Sequence, residues 1–298
     1  MGAPDVAYVR QYQTNITMLA QQMDSRLRQA VMVDTNFTGF KKFYNQYATD
    51  SMIELTSRYQ DTPTQTPNHA RRMVTPRYFV SNTLEDPVDA LQMTSDPKSA
   101  YMQAKQAAAN RQQDDIIIAA MSATAYTGQD GGTSQSLSNT NTPPGGGTGV
   151  ANLITAQGAG MSKAKVIRAK RYLDTGEVDK ADRFMVCSAA QLEDLLGQTE
   201  VTSSDFNSVK ALVEGTVDSW VGFKWLHSER LAVDGSSNRL CYAWQRKALQ
   251  LAIQKDVEGR MDERPDKNYA YQVYMRMCMG ATRLEESRIA QIACVEQS

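Results

Sequence analysis

Residues 96–127 read DPKSAYMQAKQAAANRQQDDIIIAAMSATAYT, and the fold follows from what this stretch must lie against. Asp96 is an N-cap residue and Pro97 suits the first helical position, where a missing N–H costs nothing. Ala100, Ala104, Ala107, Ala108, Ile118, Met121 and Ala125 recur at spacings of three and four, the period of a buried helix face. No glycine intervenes before Gly128, which is the expected stop. A helix of this length runs on the order of 45 Å. Its alanines let another backbone approach closely, so it reads as a spine that needs a long partner.

That partner is expected near the other end of the chain. Residues 269–279, YAYQVYMRMCM, alternate with period two, as a long half-buried strand does. Arg264 to Asn268 reads as the turn before it, 238–253 and 257–262 as strands, and 289–295 as a final strand. N-terminal to the spine, residues 37–82 read as a protruding hairpin. Phe37, Phe40, Phe43, Tyr44 and Tyr47 form one arm, 71–80 the other, and 56–68, with Pro63 and Pro67, a polar tip. A hairpin alone is marginal in water, so it is expected to rest on something else. Before it, Val9, Tyr12, Ile16, Leu19, Met23 and Leu27 mark an amphipathic helical arm over about residues 5–30. Between spine and final strands, 127–149 is a Gly/Ser/Thr/Asn-rich linker. After it come a basic helix at 161–173, a buried strand at 183–187, a helix at 188–196, a loop and helix at 201–215, and a strand at 220–226. Helices and strands without a βαβ rhythm make this an α+β protein.

Composition removes several functional classes. The 298 residues carry 32 Lys+Arg against 33 Asp+Glu, a formal charge of −1, which argues against a dedicated nucleic-acid binder. The longest apolar run, near 116–121, falls far short of the roughly 18 residues that cross a membrane. The N-terminus has neither the charged nor the apolar region of a signal peptide, and Val6 stands where a myristoylation signal wants Ser or Thr. Cys187, Cys241, Cys278 and Cys294 are scattered through apolar segments, as buried reduced thiols are. His69 and His227 are the only histidines, too few for a His-based metal site and poor material for a Ser-His triad.

The remaining motifs have structural explanations. Gly145 to Gly149 lacks the Lys–Ser/Thr pair of a phosphate loop, since Val150 and Ala151 follow, so it reads as linker. Asp114-Asp115 and Glu285-Glu286 could suggest acid–base chemistry. Asp115, however, sits four residues after Arg111 for an intrahelical pair, and Glu285 and Glu286 point to opposite faces if the strand continues that far. Lys163, Lys165, Arg168, Lys170 and Arg171 spread around their helix as a solvated or subunit-contacting surface. Lys41, Lys42, Arg71 and Arg72 sit on opposite arms of the hairpin. They are the subunit-interface candidates, able to pair with acids on a neighbour or to keep exposed strands from aggregating.

The order of parts, together with Ser99 to Ala104, Arg111 to Ala120, Thr202 to Asn207, Val209 to Val213, Trp220 to Trp225, Lys267 to Tyr274 and Met279 to Glu286, resembles the major capsid protein of tailed bacteriophages. The resemblance implies the α+β HK97-like capsid fold. Its parts would be an N-terminal arm at 1–36, an extended loop at 37–82, a peripheral domain at 83–149 plus 257–298, and an axial domain at 150–256. It implies a structural protein rather than an enzyme. The subunit would self-assemble as hexamers and pentamers into an icosahedral head shell around double-stranded DNA, and would reside in the virion after assembly in the bacterial cytoplasm. It further implies no cofactor, metal or membrane, and a separate scaffolding protein, a portal and a decoration protein as partners. An encapsulin-like compartment shell is the alternative on the same fold; a nucleotide-binding enzyme is the alternative of another class.

Overall fold

The structure, a computed structural model, describes residues 21–35, 37–47, 50, 52–66, 69–86, 98–137, 151–197 and 219–296. The arm before residue 21, the cap at 96–97, the glycines at 145–149 and the helix expected at 201–215 lie outside these residues. The chain divides into two compact units, one of residues 1–25, 78–112 and 255–278, the other of 26–77, 113–254 and 279–298. Three continuous elements belong in part to each: α1 (Lys98–Ser122), β12 (Leu249–Arg264) and β13 (Ala270–Arg283).

The helix is shorter at its C-terminal end than periodicity suggests. It stops at Ser122, and Ala125–Thr127 is a strand, β5, paired with β6 (Thr133–Gln135) through a turn in which Gly128 has φ +95°. The physical reason lies in the buried Arg283, which donates to the Met121 and Ala123 carbonyls at 3.0 and 2.9 Å and so caps the helix from another element. Ala107 is fully buried, but Ala104 and Ala108 are only half-buried, because the buried face runs through Lys105, Ala107, Ala109, Gln113, Ile117 and Met121. At 25 residues, α1 extends about 37 Å.

β4 (Arg77–Glu85) belongs to a four-stranded sheet of order β1 (Met32–Asp34), β12, β13, β4. Val273, Met275 and Met277 alternate inward along β13, as period two requires. Ala108 and Ala109 of α1 line a crevice with Met275 and Met277, so the spine does lie over the long strand. The Arg264 turn is a 3-10 turn closed by Asn268 in the left-handed region (φ 53°). Residues 21–25 are not helical: Asn110 Nδ2 donates to the Met23 carbonyl, and Arg111 donates to Gln21 Oε1 and the Gln22 carbonyl. Side chains of α1 thus satisfy backbone groups of this stretch of the arm.

The second unit holds two more sheets. One has the order β7 (Leu153–Ile154), β14 (Ile289–Val295), β11 (Asn238–Gln245), β8 (Arg183–Cys187), β10 (Phe223–His227), β9 (Ser219–Trp220), and the other the order β2 (Lys42–Tyr47), β3 (His69–Val74), β5, β6. In the six-stranded sheet β8 (Arg183–Cys187) is buried at every position between parallel β10 (Phe223–His227) and antiparallel β11 (Asn238–Gln245), hence its unbroken apolar reading. Trp220 to Leu226 is not one strand. Val221 (φ 54°) and Gly222 (φ 83°) form a two-residue turn that folds β9 (Ser219–Trp220) back on β10. β1 (Met32–Asp34) runs parallel to β12, and β14 (Ile289–Val295) pairs with β11 and with β7 (Leu153–Ile154). Helix α2 (Lys163–Thr175) is capped by Ser162 and buries Val166, Ala169, Tyr172 and Leu173. α3 (Ala189–Gly197) follows β8. Lys165 is a correction to the solvated reading of the basic helix. It is buried, and its ammonium spends three protons on the carbonyls of Ala159, Gly160 and Ala293 (2.7, 2.8 and 3.1 Å). The four cysteines are free thiols, three buried and Cys278 half-buried.

Candidate assembly surfaces

The hairpin has the expected arms. β2 (Lys42–Tyr47) pairs antiparallel with β3 (His69–Val74), with Lys42 opposite Val74 and Tyr44 opposite Arg72. The strand-like run through 71–80 nevertheless breaks at Thr75-Pro76, and its second half is β4 of a different sheet. Proline cannot donate to the ladder, which is why the switch falls there.

The four basic candidates have different surroundings. Lys41 and Arg71 are exposed. Lys42 reaches Asp34 at 2.5 Å. Tyr44 also donates to that carboxylate at 2.8 Å, and burial, with the Asp34 contact adding to it, pushes the Tyr44 hydroxyl well above its usual pKa. Arg72 is buried. It donates to the Leu284 carbonyl at 2.9 Å and to Glu286 Oε2 at 2.5 Å.

Glu286 is the centre of a hub that sequence reasoning missed. Its Oε1 accepts from Arg283 Nε at 3.2 Å, and Arg283, fully buried, also donates to the Gln135 carbonyl of β6 at 3.1 Å. One carboxylate and two guanidiniums therefore join β3, β6, the end of α1 and the end of β13. Tyr172 of α2 donates to the Glu286 carbonyl at 3.3 Å, and burial pushes its hydroxyl up to about 12. The strand does not reach the acidic pair, because it ends at Arg283 and Glu286 begins a 3-10 turn. A signal for Arg283 did exist: continued period two puts it on the face of Met275, Met277 and Met279.

A second cluster fixes the chain where it leaves the arm. The fully buried Asp114 accepts from the backbone N–H groups of Arg26 and Leu27, both at 3.1 Å. Arg26 Nη1 donates to the His227 carbonyl and to His227 Nδ1, both at 2.7 Å, and since a guanidinium only donates, Nδ1 accepts. The other ring nitrogen faces Glu229 at 2.8 Å. Burial would raise the Glu229 carboxyl, but the N–H of Ala189 at the start of α3 and His227 outweigh it and hold it low. Asp115 does not pair with Arg111; it takes a bidentate contact from Arg230, 115 residues away. Both acidic pairs are thus occupied by structural contacts. Among the described residues no group of His, Cys, Asp and Glu is arranged to hold a metal, and no helix is long and apolar enough to cross a membrane.

The hairpin tip is uncovered. Met52 and Tyr59 are fully exposed, and Ile53 and Leu55 are about half exposed. Four large apolar side chains thus stand exposed within eight residues.

Residues 5–296 match the family described as phage capsid protein. The chain belongs to the phage capsid protein family. No curated protein matches it in sequence. Solved capsids share the fold at low identity. The cyanophage P-SCSP1u capsid aligns with TM-score 0.71 at 16% identity, covering 98% of this chain and 94% of that one. Mycobacterium phage Che8 aligns with 0.70 at 14%, covering 97% and 98%. The cyanophage Pam1 capsid aligns with 0.71 at 11%, covering 99% and 98%. The mixed α+β architecture is accordingly the HK97-like capsid fold, and this capsid protein is a structural, self-assembling subunit of the icosahedral phage head shell in the virion.

Proposed function

We propose that this subunit closes a shell of hexamers and pentamers by burying on neighbouring copies what it leaves uncovered on its own. The exposed apolar tip of the hairpin carries this reading. Burying one such side chain yields about 1.5–3 kcal/mol, and a closed symmetric shell repeats that gain at every subunit. Lys41 and Arg71, exposed beside the hairpin, answer acids on a neighbour, while Lys42 and Arg72 hold the hairpin to its own chain. Residues 1–36 act as arm, 37–82 as extended loop, 83–149 with 257–298 as peripheral domain and 150–256 as axial domain. The charge of −1 suits a wall that encloses double-stranded DNA without gripping it. The subunit performs no catalysis and takes no cofactor. A separate scaffolding protein, a portal and a decoration protein complete the head.

Electron microscopy of the expressed protein, alone and with its scaffold, tests this reading. Closed shells are expected, filled with DNA in the infected cell. Compact monomers under both conditions would refute the reading, and shells loaded with a cargo enzyme would move it to a compartment protein.

A further inference from the structure

The first unit contains a buried cation that no acid answers. Lys105, on α1, is only 7% exposed. Among the described residues its ammonium has one partner, the Ser81 hydroxyl oxygen at 2.9 Å, which leaves two protons without a protein acceptor. Ser81 accepts in this contact, so its own hydroxyl proton remains to donate. Burial alone depresses the Lys105 pKa.

Lys105 and Ser81 both line a crevice of about 150 Å³ between β4, α1 and β13, and every residue around it belongs to the first unit. Most of the remaining wall is apolar, with Phe79 and the pairs Ala108–Ala109 and Met275–Met277. An apolar cavity of that size holds one benzene-sized group. The alanines end at Cβ, so a flat ring can come close to α1, and methionine sulfur makes favourable contacts with aromatic rings. No acid lines the crevice, and its other cation, Arg276, is already engaged by Glu258 at 2.9 and 3.0 Å.

These features select a ligand. A phosphate brings more oxygens than one ammonium and one hydroxyl can satisfy, against walls that are mostly apolar. A neutral ring would leave the ammonium unanswered, and an amine would repeat its charge. A carboxylate on a single ring matches both halves of the crevice. One oxygen takes the ammonium and the other the Ser81 hydroxyl, as charge-assisted hydrogen bonds.

We propose that the crevice between β4, α1 and β13 is a binding site for a small aromatic carboxylate, its ring against the alanines and methionines and its carboxylate on Lys105 and Ser81. The site lies within a single subunit, so it stands whether or not the shell reading holds.

The test titrates benzoate into the full-length free subunit and reads binding by ligand-observed NMR, with benzamide and benzylamine as the neutral and cationic rings of matching size. Benzoate is expected to bind with a Kd of about 10 mM or tighter, the range that ligand efficiency gives a molecule this small. Benzamide and benzylamine are expected to bind about tenfold more weakly. Lys105→Met is expected to weaken benzoate about tenfold and to erase its advantage over benzamide, and Ser81→Ala to weaken it about threefold. Circular dichroism checks that each variant is folded. Should Lys105→Met not fold, Ala108→Leu, at a half-buried position, fills the crevice and is expected to abolish benzoate binding. Equal affinity of the wild type for benzoate and benzamide overturns the site. So does benzoate binding unchanged by Lys105→Met or Ala108→Leu, and so does the absence of binding at about 10 mM benzoate.

Discussion

Replacing Glu286 by Gln removes the single negative charge between two buried guanidiniums. The carboxylate is 8% exposed, Arg72 lies 2.5 Å from one oxygen, and the fully buried Arg283 lies 3.2 Å from the other. The arginines keep their carbonyl partners at Leu284, Met121, Ala123 and Gln135, so the loss is mainly electrostatic. Burial already lowers the Arg283 pKa, with Glu286 the principal opposing influence. Breaking one side of a buried charge cluster costs about 3–5 kcal/mol, a large part of the stability of an ordinary domain. For a unit of this size the melting temperature is expected to fall on the order of 10 °C. Denaturant unfolding of the free subunit measures the loss, with Glu285→Gln as control, because Glu285 is more exposed and contacts only Ser287 and Arg288 among the described residues. The control is expected to lose less than about 1 kcal/mol. A Glu286→Gln loss no larger than the control's would refute the reasoning that this carboxylate holds the hairpin sheet to the body.

Three further outcomes follow. Gly280→Ala places a Cβ 2.7 Å from the Thr75 carbonyl and 3.1 Å from Pro76 Cα, where backbone must give way; it is expected to cost about 1–3 kcal/mol in thermal unfolding, against little for Gly132→Ala, which meets nothing within 4 Å. Ala107→Trp, at a fully buried position of α1, is expected to abolish soluble protein in an expression assay, whereas Gln103→Trp, on the exposed side, is tolerated. Glu258 is held at about 2 by Lys255, Arg276 and Arg260. Its folded value lies below the unfolded one, so its contribution is complete above the ordinary carboxylate range and is lost as pH falls through about 2. Thermal midpoints taken from about pH 5 to about pH 2 are expected to fall less steeply for Glu258→Gln than for wild type.

The elements with strong local periodicity were legible in the sequence. Tyr269 to Met279 announced a half-buried strand, and the alanines of 100–108 announced a helix, because those patterns depend on neighbours along the chain. What failed depended on residues far away. Arg111 and Asp115 have helical spacing for a pair, yet Arg230 offers Asp115 a bidentate contact and Gln21 and Gln22 occupy Arg111. The end of α1 is set by Arg283, some 160 residues on, so local composition could not mark it. Trp220 to Leu226 read as one strand because Val221 is a poor turn residue by its side chain, although Gly222 beside it was the clue. The hub around Glu286 was hidden for the same reason, its partners being 3 and 214 residues distant.

The central claim is that the hairpin tip, bare on the single subunit, is covered in the shell. A cryo-electron microscopy reconstruction of assembled particles tests it most directly. Met52 and Tyr59 are expected to be packed against a neighbouring copy. A shell in which Met52 and Tyr59 still project into solvent would contradict it.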